Sequence, residues 1–184
     1  MVRTSSKRRH FALLQLPAAL LLCVAPVHAQ SDIESVVTND RFQSAIDYLA
    51  DDHARFVDEL IRITEVPAPP FNERERANLF AELLRDSGLS NVEIDAEGNV
   101  IGLREGVEGS GTVAVLAHLD TVFPANTDVR VRRDGSRLYA PGIGDDSRGL
   151  AVILALVRAV DCLDRTAASA SRPPIRRMRF HAHR

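Results

Sequence analysis

Cysteine is nearly absent from this chain of 184 residues, which holds only Cys23 and Cys162. Cys23 lies in an N-terminal segment that reads as a removable leader. Cys162 is then left without a mate, and an intrachain disulfide framework is excluded from the mature protein. Cys162 falls in an apolar helical run and reads as a buried, inert thiol. Lysine is scarcer still: the single Lys7 also lies in the leader, so every later cation is an arginine. Without the leader's Arg3, Lys7, Arg8 and Arg9, 19 basic residues face 25 acidic ones. That balance excludes nucleic acid and anionic membrane surfaces as partners. Internal repeats are missing, and only the Ala/Ser run at 167–171 is of low complexity.

The leader has three parts. A basic n-region (Arg3, Lys7, Arg8, Arg9, His10) precedes an apolar h-region from Phe11 to Val27, and Val27-His28-Ala29 fits a small-residue cleavage site before Gln30. The apolar stretch is interrupted by Gln15 and Pro17 and is short for a spanning helix of about 20 residues. No stable membrane anchor is therefore expected. Arg8-Arg9-His10-Phe11 partly matches the twin-arginine export signal, so the protein is expected to be exported, either periplasmic or secreted. Residues 1–29 are assigned to the signal peptide, and the remaining 155 suffice for one sizeable core.

Residues 40–65 read as one long amphipathic helix, with Phe42, Ile46, Leu49, His53, Phe56, Leu60 and Ile63 near helical spacing. His53 beside that stripe reads as a partly buried structural histidine. Pro67, Pro69 and Pro70 stop the helix, and Asn72 is placed to cap the next one. That helix carries Leu79, Phe80, Leu83 and Leu84 as its buried stripe and has Gly88 as its stop. Val92–Ile94 and Val100–Leu103 read as a hairpin around Glu97-Gly98-Asn99, and Val129–Arg133 with Leu138-Tyr139 as a second, turning at Asp134-Gly135. Val113 to Ala117 is a buried strand, and Leu150 to Leu163, apolar on nearly all sides, a buried helix. Strand and helix in alternation imply an α/β fold, a partly parallel mixed sheet packed between helices.

Two stretches carry chemistry. In "VLAHLDTVFP" the buried strand exits into His118 and Asp120, two residues apart and so on one face. In "APGIGDDSRG" Gly142 and Gly144 precede Asp145 and Asp146 at the mouth of the buried helix. A dinucleotide site is excluded, because the carboxylates would occupy the place of the pyrophosphate and no glycine stands at 147. Helix capping accounts for one aspartate of the pair. Two adjacent carboxylates repel unless a positive charge lies near them. A divalent metal supplies it, imidazole and carboxylate being zinc ligands, and a ligating histidine gives its second N–H to a carboxylate. Gly109-Ser110-Gly111 lacks the Gly-x-Ser-x-Gly elbow, which excludes a serine hydrolase.

Taken together, His-Leu-Asp-Thr-Val at a strand exit, about 25 residues holding a hairpin, and Gly-Ile-Gly-Asp-Asp-x-x-Gly before an apolar helix resemble one family. It is that of the two-zinc metallopeptidases, which include tripeptide aminopeptidase (peptidase T), carboxypeptidase G and succinyl-diaminopimelate desuccinylase. The likeness runs over roughly residues 40 to 165, including the "ITEVPAPP" exit of the first helix. It implies a phosphorylase/hydrolase-like zinc peptidase catalytic domain in which His118 and Asp145 are metal ligands, Asp145 bridging two zinc ions. Asp120 is the implied catalytic residue that orients the His118 ring, and a cis peptide follows Asp145. The implied reaction is hydrolysis of a peptide or N-acyl amino acid by metal-activated water. Ser147-Arg148 stands where relatives often have lysine, so the substrate class stays open, and no oligomeric state is implied.

Relatives also supply a Glu-Glu pair on the strand after the buried helix, holding the general base and a further ligand. This chain has no glutamate after Glu108. Residues 30–184 are therefore expected to be the N-terminal part of the domain, truncated before its later strands. The arginine- and histidine-rich run after Arg177 reads as a shifted frame, and 172–184 as an aberrant tail. His181 and His183 share one face if "RFHAHR" is a strand, with Arg179 and Arg184 beside them. The implied function is an exported zinc-dependent peptidase or amidohydrolase, inactive in this form. The alternative is a non-catalytic remnant or binding module that retains the sheet. Terminal sequencing of the processed protein should find Gln30 first, and an intact Met1 on exported protein would contradict the leader.

Overall fold

The structure, a computed structural model, describes residues 29–105, 112–168 and 178–183. The expected leader up to His28, the Gly109-Ser110-Gly111 segment and residues 169–177 lie outside the described residues. The described residues open with helix α1 (Ala29–Val37), which the sequence pattern did not suggest, followed by α2 (Asp40–Asp51) and α3 (His53–Thr64). The single helix expected over 40–65 is thus two. Asp52, at φ −79° and ψ 0°, ends the first and begins the second. Its carboxylate accepts Arg158 Nε at 2.9 Å and Nη2 at 2.5 Å. The same guanidinium donates from Nη1 to Glu59 Oε1 at 3.0 Å and Ser87 Oγ at 3.1 Å. One buried arginine thereby ties the α2–α3 corner to the last long helix, and this contact lies over a hundred residues away in sequence. His53, expected to be partly buried, is exposed and stacks on Phe56 at 6.3 Å.

Helix α4 (Arg74–Asp86) starts two residues beyond the expected Asn72 cap. Glu73 occupies the cap position, and its carboxylate accepts the N–H of Phe71 at 2.6 Å, bracing a residue held at φ +69°. Gly88 follows the helix at φ +104°, where side chains are disfavoured, as its role as a stop requires. The hairpin β1 (Asn91–Ile94) and β2 (Val100–Arg104) forms as expected. Asp95 Oδ1 accepts the N–H groups of Glu97 and Asn99, both at 2.9 Å, within its turn. Strand β3 spans Val113–His118. The second hairpin, β4 (Arg132–Asp134) and β5 (Arg137–Tyr139), is a separate two-stranded sheet. An irregular turn, Ile143–Ser147, leads into α5 (Arg148–Ala168).

Met178–His183, within the run expected to be an aberrant tail, form strand β6 in the interior of the main sheet. The strand order is β1-β2-β6-β3, with β6 antiparallel to β2 and parallel to β3. The reason is the two-residue alternation of "RFHAH". Phe180 and Ala182 are fully buried, while Arg179 and His183 on the other face are exposed. Phe180 joins Val100, Phe80, Leu84, Leu150, Leu154 and Val157 in the core that α3, α4 and α5 close over one side of the sheet. The fold is therefore the expected α/β class, a partly parallel mixed sheet flanked by helices. On the opposite side Leu116 remains 57% exposed. Cys162 is half-buried, more accessible than the inert core thiol expected.

Removing the Phe180 ring should cost about 3–5 kcal/mol, as for other buried aromatics. Leu116→Ser should stay within about 0.5 kcal/mol. Urea unfolding of the two variants measures both, and a loss under about 1 kcal/mol for Phe180→Ala would contradict an interior β6.

Candidate active site

The site stands where the parallel pair β3 and β6 ends, at the carboxyl side of the strands, where ligands bind in open α/β sheets. Alternation continues past His118 and sorts the next residues. Leu119 and Thr121 are buried, while His118 and Asp120 turn towards solvent. The buried pair is fixed through its backbone. Leu119 N donates to His183 O at 2.7 Å, and Thr121 N to Ala68 O at 2.8 Å. Leu119 O accepts Arg76 Nη1 at 3.0 Å. Arg76, on the apolar stripe of α4, is fully buried, and it also donates from Nε and Nη2 to Val66 O at 3.1 and 2.6 Å. Burial pushes its pKa down to about 10, against the pull of the Asp120 charge, so at neutral pH it remains a cation. The "ITEVPAPP" exit and the His-x-Asp strand are held together by this guanidinium and by the bonds from Thr121 to Ala68 O.

On that frame the predicted residues meet. His118 Nε2 lies 2.9 Å from Asp145 Oδ1, and His118 Nδ1 lies 3.1 Å from Asp120 Oδ1 and 3.0 Å from Asp120 O. The ring is thus gripped at both nitrogens. Asp120 takes the Nδ1 proton, while Nε2 faces the Asp145 carboxylate, donating to it when protonated and offering its lone pair to a cation when neutral. Burial works against charging this ring. The hydrogen bond to Asp145 and the charges of Asp120 and Asp146 outweigh it and hold the imidazole above its ordinary pKa. The Asp145 side chain is 90% exposed. The Asp145–Asp146 peptide is cis.

Asp146 takes the capping role that fits one member of the pair. Its Oδ1 accepts Gly149 N at 3.0 Å in the first turn of α5, and its Oδ2 accepts His118 N at 3.2 Å. This aspartate therefore fixes the His118 backbone, a function that only three-dimensional proximity discloses. Gly142, at φ +76°, packs so closely that a Cβ there would stand 2.8 Å from Thr121 Cγ2. The cleft between these segments, about 270 Å³, is lined by His118, Asp120, Thr121, Phe123, Gly142 and Asp145 among others. A larger hollow of about 480 Å³ reaches Asp120 from the side of Phe71, Glu73 and Glu97.

The donor types suit a divalent cation. Two ligands of one tetrahedral zinc, each at about 2.0–2.1 Å, lie roughly 3.3 Å apart, close to the 2.9 Å between His118 Nε2 and Asp145 Oδ1. Among the described residues no group of three or more His, Cys, Asp or Glu side chains converges as a metal site. The described residues thus fit part of a ligand set. A Cβ on Gly149 would lie 2.1 Å from Asp146 Oδ1. Gly149→Ala should therefore displace the carboxylate that holds His118 and cost about 1–3 kcal/mol. Thermal unfolding and the His118 amide NMR shift measure this, and an unchanged shift would contradict the clamp.

Comparison with known proteins adds to this geometry. The family model described as Peptidase family M28 matches residues 99–183. No curated protein matches the chain. Among solved structures, the aminopeptidase PepT of Bacillus cereus superposes with a TM-score of 0.55 at 21% identity, over 70% of this chain and 35% of that one. Human carnosine dipeptidase 1 gives 0.60 at 14%, over 76% and 34%. An aminopeptidase from the archaeon Desulfurococcus kamchatkensis gives 0.54 at 16%, over 70% and 55%. The chain spans about a third of the length of the first two. The resemblance to metallopeptidases carried by the His118 and Asp145 motifs holds: the chain matches the M28 peptidase family over 99–183 and has the fold of peptidase catalytic domains.

Proposed function

We propose that this chain carries part of the active site of an exported, zinc-dependent peptidase or amidohydrolase. The observation that supports it most is the grip on one imidazole, Asp145 at Nε2 and Asp120 at Nδ1. His118 and Asp145 would hold the ion. Asp120 is a positioning residue, keeping the ring's tautomer and direction. A bound zinc would polarise the scissile carbonyl and acidify a water. The substrate is a peptide or an N-acyl amino acid, lying in the hollow that meets Asp120. The basic n-region and apolar h-region before Gln30 support export, to the periplasm or the medium.

The 184-residue chain does not itself turn over. No glutamate follows Glu108 in this sequence, so the general base that the resemblance implies is not among these residues, and general acid–base catalysis contributes about 10²–10⁴-fold. The same observation favours the second reading, a non-catalytic remnant or binding module. Zinc affinity and hydrolysis of di- and tripeptides and N-acyl amino acids by the full chain test both claims. Asp145→Ala should weaken zinc binding by at least about 10-fold, with no hydrolysis above background. Unchanged affinity would overturn the metal assignment. Zinc-dependent hydrolysis abolished by His118→Ala would overturn the inactivity.

A further inference from the structure

Among the described residues, strand β3 is an edge of the main sheet, paired only with β6. Successive backbone groups of a strand turn to opposite sides. Leu119 N donates to His183 O of β6, so Val115 and Ala117 also turn their backbone groups to β6. Those of Ala114, Leu116 and His118 then face the open edge. His118 N is met there by Asp146 Oδ2 at 3.2 Å, which closes that end of the stretch. Ala114 and Leu116, both exposed, are left presenting N–H and C=O groups to solvent. The other edge, β1, is defended. Glu93 gives it a charge, and Arg85 Nη2 donates to Val92 O at 3.0 Å. The "VAVLAH" of β3 holds no acidic residue, lysine, arginine or proline, the devices that keep edges from pairing.

We propose that β3 pairs antiparallel with β3 of a second copy of this chain, about a two-fold axis at Val115. The second copy is the occupant because the open stretch is its own complement. Reversed, it sets Leu116 against Ala114 and Ala114 against Leu116, and each such pair exchanges both backbone hydrogen bonds. Val115 meets its own copy on the axis. The exposed Leu116 side chain lies beside Ala114 of the second copy on the open face of the sheet. No like charges meet at this contact, although the chain as a whole is acidic. A two-fold contact of this kind closes at two chains. Built on one short strand per chain, it falls among interfaces below about 1,200 Å², where association is weak. It rests on backbone geometry and is independent of the metal reading. Because the strands run oppositely, the two His118–Asp145 clefts lie at opposite ends of the shared pair and stay open.

Sedimentation velocity of the full chain over a dilution series tests this, together with hydrogen exchange of its backbone amides. A monomer–dimer equilibrium is expected, with exchange at Ala114 and Leu116 slowing as concentration rises. Leu116→Lys, at an exposed position, should weaken association about 10-fold or more, because like charges then face each other across the axis. Ile94→Lys, on the defended edge, should leave it unchanged. A chain that stays monomeric, assemblies that grow past two, or a dimer weakened by Ile94→Lys and not by Leu116→Lys would each overturn the proposal. A monomer whose Ala114 and Leu116 amides slow only when an unrelated extended peptide is added would assign the edge to a foreign strand, and would overturn it too.

Discussion

The site depends first on the Arg76 guanidinium. It is fully buried, and it donates to the carbonyls of Val66 and Leu119, groups that belong to the exit of α3 and the exit of β3. Neither carbonyl has a helix or sheet partner at that point in the chain, and a buried unpaired carbonyl costs about 1–3 kcal/mol. A single planar cation satisfies both. Because Leu119 lies between His118 and Asp120, fixing its backbone fixes the directions in which those two side chains leave. Lysine could not copy this fork, since its three donors radiate from one point. Burial lowers the arginine's pKa, but only to about 10, so the clamp keeps its charge at neutral pH.

A second constraint comes from the sheet. β3 and β6 run parallel, so their carboxyl ends finish at the same edge, and the turn into α5 delivers Asp145 and Asp146 there. The two aspartates then divide the work. Asp146 is spent on backbone N–H groups of His118 and Gly149, which docks the start of α5 against the end of β3. Asp145, mostly solvent-exposed, meets the ring itself. Adjacent identical residues thus have different roles because one faces the helix start and the other faces the cleft.

Much of this was legible in the sequence where the signal is local. The two hairpins, the apolar α5 and the His118/Asp120 pair follow from two-residue and helical periodicity within short windows. The meeting of His118 with Asp145 was legible only because two motifs stood together in a known order. What was missed depends on distant partners. The break at Asp52 exists because Arg158 reaches it across the fold. Helix α4 begins at Arg74 because Glu73 bonds Phe71 rather than leaving the cap to Asn72. Arg76 carried a signal, a charge in register with Phe80 on an apolar stripe, which marks a buried cation with unmet carbonyls nearby. In β6, the arginines and histidines masked an alternation whose apolar half is only Phe180 and Ala182. Counting charge rather than period hid a core strand.

The central claim is that His118 and Asp145 share one metal ion while Asp120 steadies the ring. Diffraction from crystals of the full chain grown with zinc, recorded at the zinc absorption edge, tests it most directly. The account predicts an anomalous peak about 2.0–2.1 Å from His118 Nε2 and about 2.0–2.2 Å from an Asp145 oxygen, with the Asp120 carboxylate still on Nδ1. A map with no peak at His118, or one in which Asp145 stands away from the ring at the other end of the sheet, would contradict it.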